Sequence, residues 1–252
     1  MMPNADNHGS YSSASRSNTR KDASFGIAII DYGMGNIHSV QKALQLSGAQ
    51  TLVTNKSSDI KACEKLVLPG VGAFDDAMVE LEDRKLVSAI REHVNSKKPF
   101  LGICLGMQLL FEKSQEAKEK KGLGILQGLV RRFEERKGLK VPHMGWNQLR
   151  KVTLLRGQAS HSLARAGKSL PIGRGVTSNC PLLKDITEGS CVYFCHSYYP
   201  APKDASVVAA VTDYGVEFCS VVWRDNVFGV QFHPEKSQAI GLRMLKNFVE
   251  LC

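Results

Sequence analysis

The 252 residues contain no apolar run long enough to span a membrane, which argues against an integral membrane protein. The seven cysteines are scattered and odd in number, with no C-x-x-C pair. Neither a disulfide framework nor a zinc site is expected. A secretory leader pattern is also missing, so a reducing cytoplasm is the expected setting. Acidic residues are outnumbered, 24 against 33 Lys and Arg, for a formal net charge of +9. The excess lacks an aromatic-interleaved patch or a known binding motif, so no nucleic acid is expected. A basic surface facing an acidic protein or phosphorylated metabolites fits the charge as well.

Residues 1–24 are Ser- and Asn-rich with almost no large apolar side chains. Such a segment cannot offset the entropy of ordering and is expected to be disordered. Arg16, Arg20 and Lys21 leave a transit peptide open, but the tail has no apolar helical face. From Arg150 to Lys184 there are seven Lys or Arg residues and no acidic one. Poor periodicity makes roughly 154–180 a basic loop insert, either a solvated surface loop or a contact for a partner.

Between these segments strands alternate with helices. Gly26-Ile27-Ala28-Ile29-Ile30 is a continuous apolar run of the kind central parallel strands show. Asn36 is positioned to cap a helix carrying Ile37, Val40, Ala43 and Leu44 and closed by Gly48. Strands follow at Leu52-Val53 and Leu66–Leu68, and helical patterns at 74–82 and 85–96. The second half is richer in strands, at Cys191–Cys195, Val207–Val211 and Cys219–Trp223, before a closing helix from Gly241 to Leu251. The alternation implies an α/β domain over 25–252, with a mostly parallel sheet and ligands at the C-terminal strand ends.

Gly102-Ile103-Cys104-Leu105-Gly106 follows the buried run Pro99-Phe100-Leu101 and leads into a helical pattern through Leu105, Leu109, Leu110 and Phe111. This G-x-nucleophile-x-G spacing reads as a nucleophile elbow, whose sharp turn leaves no room for a Cβ on either side. A helix N-terminus there would favour thiolate at Cys104. The alternative is a small buried core cysteine. Val227–Phe232 is a strand-like run ending in His233-Pro234-Glu235. That pattern suits a base and the carboxylate that orients it, or a plain surface turn. Both motifs in one chain favour Cys–His nucleophilic catalysis.

These residues resemble a class I, triad-type glutamine amidotransferase with its flavodoxin-like fold. Further stretches narrow the resemblance: Ile30–Asn36, Pro69-Gly70-Val71-Gly72-Ala73-Phe74, Pro142-His143-Met144-Gly145-Trp146-Asn147, His196-Ser197-Tyr198-Tyr199 and Gln231–Ser237. Together they are similar to the glutaminase subunits of imidazole glycerol phosphate synthase from about Phe25 to Cys252. The resemblance implies a triad of Cys104, His233 and Glu235. Elbow geometry makes the N–H of Leu105 one oxyanion donor, and the resemblance makes Val71 the other, against the alternative of an ordinary Pro-Gly turn. Gly72, Gln108, Ser197 and Tyr198 are implied to hold glutamine, the alternative for Gln108 being a solvent-facing polar helix residue. Lys236 is implied to meet a cyclase subunit, expected on a separate chain because no barrel-length segment follows the closing helix. No cofactor or metal is expected. The runner-up is the glutaminase subunit of anthranilate or aminodeoxychorismate synthase. A catalytically dead binding subunit is the reading from another class.

Overall fold

The computed structural model describes residues 26–135, 138–152 and 179–252. The expected N-terminal tail, and all but the last two residues of the expected insert, lie outside the described residues. Strands β1 (Ile27–Ile30), β2 (Thr51–Thr54), β3 (Lys65–Gly70) and β4 (Phe100–Cys104) alternate with helices α1 (Ile37–Leu46), α2 (Ser57–Ala62), α3 (Phe74–Asp83) and α4 (Val87–Asn95). Then come α5 (Leu105–Gln108), β5 (Phe111–Ser114), β6 (Leu126–Arg132), β7 (His143–Gln148), β8 (Arg150–Lys151), β9 (Cys191–His196) and β10 (Tyr198–Pro202). β11 (Val208–Asp213), β12 (Glu217–Arg224), β13 (Val227–Val230) and α6 (Gln238–Leu251) complete the described chain.

The main sheet has eight strands in the order β2-β1-β3-β4-β13-β12-β11-β8. Pairings from β2 through β13 are parallel, and those beyond β13 are antiparallel. The parallel part has the doubly wound order of flavodoxin-like sheets, which opens its site at the C-terminal strand ends. β1 and β4 are buried at every position because helices cover both faces. α1 and α6 pack on one side through Val40, Leu44, Leu245 and Phe248. α2, α3 and α4 pack on the other through Ile60, Leu81 and Ile90. Lys65, at the start of β3, donates to the carbonyls of Phe248, Val249 and Cys252 at 2.9, 2.7 and 2.6 Å. A cation thus satisfies carbonyls that the end of a helix leaves unpaired.

Two expectations are corrected. Asn36 stands at the N-cap of α1 but makes no side-chain cap hydrogen bond. The helix after Cys104 is one turn long, and Phe111 enters β5 instead of continuing it. The carbonyls of Leu109 and Leu110 accept from Leu123 and Leu126, and these long-range pairs replace further helical bonds. A short apolar run such as Leu109–Phe111 is ambiguous by periodicity alone. β9 lies outside the main sheet. It pairs antiparallel with β7 as a two-stranded sheet, while β5, β6 and β10 form a third.

Candidate active site

β3, β4 and β13 are neighbours, and their register places Gly70 beside Cys104 and Ile103 beside Val230. The chain then runs from β13 through Gln231 and Phe232 to His233, so all three segments meet at one end of the sheet. Cys104 has φ 54° and ψ −111°. A non-glycine residue held there costs on the order of 1–3 kcal/mol of backbone strain, kept only where the surroundings enforce it. The flanking glycines have steric reasons. A Cβ on Gly102 would lie 2.6 Å from the Gly106 carbonyl oxygen, and one on Gly106 would run into the Leu68 carbonyl.

Cys104 and His233 are 5% and 4% exposed, so this chemistry is shielded from bulk water. His233 Nδ1 lies 2.9 Å from Glu235 Oε1. A carboxylate oxygen only accepts, so Nδ1 carries the proton and Nε2 is the nitrogen left for a second partner. Burial pushes the His233 imidazole down, but hydrogen bonds and charge from Cys104 and Glu235 outweigh it and raise the pKa to about 10. The expected helix dipole has only the single turn of α5 to act through. The second oxygen of Glu235, Oε2, is buried without a partner among the described residues. The His233 backbone is held from two sides: its N–H donates to the carbonyl of Tyr193 in β9 at 2.9 Å, and Ser237 Oγ, just past the turn, donates to its carbonyl at 2.6 Å.

The end of β3 packs on the first turn of α5, since a Cβ on Gly70 would lie 3.0 Å from the Leu105 Cβ and 3.2 Å from the Gly106 nitrogen. Gly72 has φ +104°, a backbone state that only glycine adopts without cost. Val71 is 43% exposed. Gln108 is buried, which removes the solvent-facing alternative, and its Nε2 donates to the Tyr198 carbonyl at 2.9 Å and to Gln231 Oε1 at 3.1 Å. The Tyr198 carbonyl also faces His196 Nδ1 at 2.8 Å, and the Ser197 carbonyl accepts from Phe133 N–H at 3.0 Å. Both lone pairs of the Tyr198 carbonyl are thus engaged, so any contact with substrate comes from elsewhere on that residue. Lys236 is exposed in the 3-10 turn after His233, with Nζ 5.7 Å from the centre of the Tyr193 ring.

The family model of class-I glutamine amidotransferases matches residues 28–252. The chain belongs to that family. Within it, the chain is 47% identical to imidazole glycerol phosphate synthase subunit HisH of Syntrophotalea carbinolica, over 89% of this chain and 100% of that one. It is also 47% identical to the HisH subunit of Thermosynechococcus vestitus, over 89% and 96% of the two chains. In fold it is similar to a solved glutamine amidotransferase at 17% identity and TM-score 0.63, covering 89% and 98%. The PurLQS structure from Thermotoga maritima matches at 16% identity and TM-score 0.61, covering 90% and 97%.

Two features of this amidotransferase site escape sequence reasoning. Gln231 is fully buried and points Nε2 at the Cys104 sulfur at 3.7 Å. It lies in a recognised stretch, but only the pairing of β13 with β4 turns it toward the thiol. Glu116 accepts from the Phe74 N–H at 3.0 Å, at the start of α3 just past the loop that carries Val71 and Gly72. Its carboxyl is raised above the usual carboxylate range by burial, with Asp75 and Asp76 adding to the effect. A glutamate in a run of charged residues carries no sequence signal for that placement.

Proposed function

We propose that this chain is the glutaminase subunit of an imidazole glycerol phosphate synthase, supplying ammonia to a separate cyclase subunit in histidine biosynthesis. The observation that carries the reading is the strained Cys104 held against a His233 that Glu235 orients. The 47% identity to HisH subunits supports it over the glutaminases of anthranilate or aminodeoxychorismate synthase.

In this reading His233 takes the Cys104 proton, and the sulfur attacks the side-chain carboxamide carbon of glutamine. The C–S bond forms, and the carbonyl oxygen becomes an oxyanion facing the N–H groups of Leu105 and Val71. The N–H of Leu105, first in α5, has no partner within its helix, which suits it to this role. Collapse breaks the C–N bond as His233 returns its proton to the departing ammonia, leaving a glutamyl thioester. Water then adds with His233 as base, and cleavage of the C–S bond releases glutamate and restores the thiol. Gly72, Gln108 and the main chain around Ser197 and Tyr198 hold the substrate glutamine. Glu116, a half-buried carboxylate next to the same loop, suits its ammonium group. Lys236 contacts the cyclase. The reaction calls for no cofactor, and seven cysteines that form no disulfide among the described residues fit a cytoplasmic setting.

The test is Cys104→Ala in complex with a cyclase subunit. Glutamine-dependent synthesis is expected to vanish while ammonia-dependent synthesis stays near wild type. Loss of both in an assembled complex, or retention of both, overturns the reading.

A further inference from the structure

His143 and His196 are buried side by side, on β7 and β9, in a box of aromatic rings. The His143 ring stacks on Tyr214 and Phe194 with centroids 3.9 and 4.7 Å away, and Phe133 and Phe218 close the sides. Neither histidine belongs to the triad. Their nitrogens are nonetheless all spoken for. His196 Nδ1 is 2.8 Å from the Tyr198 carbonyl, His196 Nε2 is 3.2 Å from His143 Nδ1, and His143 Nε2 is 3.3 Å from Asn147 Nδ2. Asn147 is itself oriented, since Nδ2 donates to the Asp213 carbonyl at 2.8 Å and Oδ1 accepts from the Gln148 N–H at 2.7 Å.

This set of partners allows one arrangement of protons. A carbonyl only accepts, so His196 carries its hydrogen on Nδ1. Two ring nitrogens 3.2 Å apart share one proton, so His196 Nε2 is bare when His143 Nδ1 donates to it. Asn147 Nδ2 is a donor, so His143 Nε2 is bare as well. Both rings are therefore neutral. Burial agrees, pushing His143 down to about 4 and, with the neighbouring His143 and His233 also disfavouring charge, His196 down to about 3.

The chain of donors does not stop at Tyr198. Its carbonyl is also the acceptor for Gln108, whose Nε2 reaches Gln231, whose Nε2 points at the Cys104 sulfur. We propose that His143 and His196 are positioning residues: a tautomer-locked pair that fixes the Tyr198 carbonyl, and through it the Gln108 and Gln231 amides beside the Cys104 thiol. Because the Tyr198 carbonyl accepts from both sides, releasing it on the histidine side lets Gln108 drift from its glutamine-holding position. The inference deepens the amidotransferase reading and rests on it.

Two measurements test it. Ring-nitrogen NMR of the wild-type chain at pH 7 should show both His143 and His196 as neutral Nδ1–H tautomers. An Nε2–H tautomer or a protonated ring at either position overturns the proposal, whatever Cys104 does. The second is glutaminase kinetics in the cyclase complex for His143→Phe, which keeps the aromatic stack, and His143→Asn, which keeps a donor toward His196. His143→Phe should raise the KM for glutamine at least about tenfold, what one or two net hydrogen bonds are worth, with a smaller change in kcat. His143→Asn should recover most of that loss. An unchanged KM in His143→Phe, or equal loss in both variants, assigns the ring to packing alone and overturns the proposal. Should His143→Phe fail to fold, the wild-type tautomers still decide. The site reading itself fails separately, through Cys104→Ala.

Discussion

The proposed triad and the histidine pair are two buried regions built from the same residue type with opposite electrostatics. His233 is 4% exposed, His143 2% and His196 6%. Desolvation is the largest single influence on each and favours the neutral ring. At His233 the thiol of Cys104 and the carboxylate of Glu235 reverse it, and the imidazole is raised to about 10. At His143 and His196 the partners are an amide, a carbonyl and another imidazole, so burial wins. Burial depth does not tell the proposed base from the paired histidines. The charge of the partner does.

The largest expected effect comes from breaking the triad side. His233→Ala should lower glutamate release by on the order of 10⁶, and Glu235→Gln by about 10⁴, because the carboxylate orients the ring and does not itself transfer the proton. Steady-state kinetics in the cyclase complex checks the order, and a slower Glu235→Gln would mean that the two roles are exchanged.

A sharper test turns one region into the other. In Cys104→Ala/Glu235→Gln both groups that raise His233 are gone and burial remains. The His233 ring should then titrate below 6.5, alongside His143 and His196, when followed by NMR. A ring still titrating above neutrality would mean that some other group holds it.

The histidine pair makes a prediction about acid stability. Folded pKa values of about 4 and about 3 lie below the ordinary value of 6.5. Below pH 6.5 the unfolded chain therefore binds protons that the folded chain refuses. The stability these neutral rings contribute is complete above 6.5 and is lost as pH falls toward the folded values. Melting temperature should drop between pH 7 and pH 4.5, and His143→Phe should flatten that slope. An equally steep slope in the variant would assign acid sensitivity to other groups.

The smallest effect concerns Tyr32, which is buried with no partner for its hydroxyl among the described residues. Burial and then the nearby Cys104 raise its pKa. An orphaned hydroxyl costs about 1–3 kcal/mol, so Tyr32→Phe should leave the melting temperature unchanged or raise it by a few degrees. A clear drop would show that the hydroxyl has a partner.

Much of this was readable in the chain. The apolar run at Ile27–Ile30, the periodic helices α1, α3, α4 and α6, and the glycines around Cys104 are local patterns, and the structure follows them. The alternation of strand and helix also puts Pro69-Gly70, Cys104 and His233 at C-terminal strand ends, where an open α/β sheet binds its ligands. What failed was equally local. Leu109–Phe111 reads as helix until β6 offers its backbone another partner. The cap expected at Asn36 is a statistical preference that the actual dihedral angles, φ −83° and ψ 60°, did not take up.

Sequence alone determined the elbow, the His233-Pro234-Glu235 pattern at a strand end and the alternation of strands with helices, because each depends on residue type at short spacing. Only the tertiary structure decided which polar groups face one another across long separations. Gln108 and Gln231 are 123 positions apart and His143 and His196 are 53 apart, yet each pair is in hydrogen-bond contact. It also decided which histidines carry charge. No spacing rule encodes that outcome, because the protonation of a buried ring is set by the groups that strand pairing brings against it, and those come from distant parts of the chain.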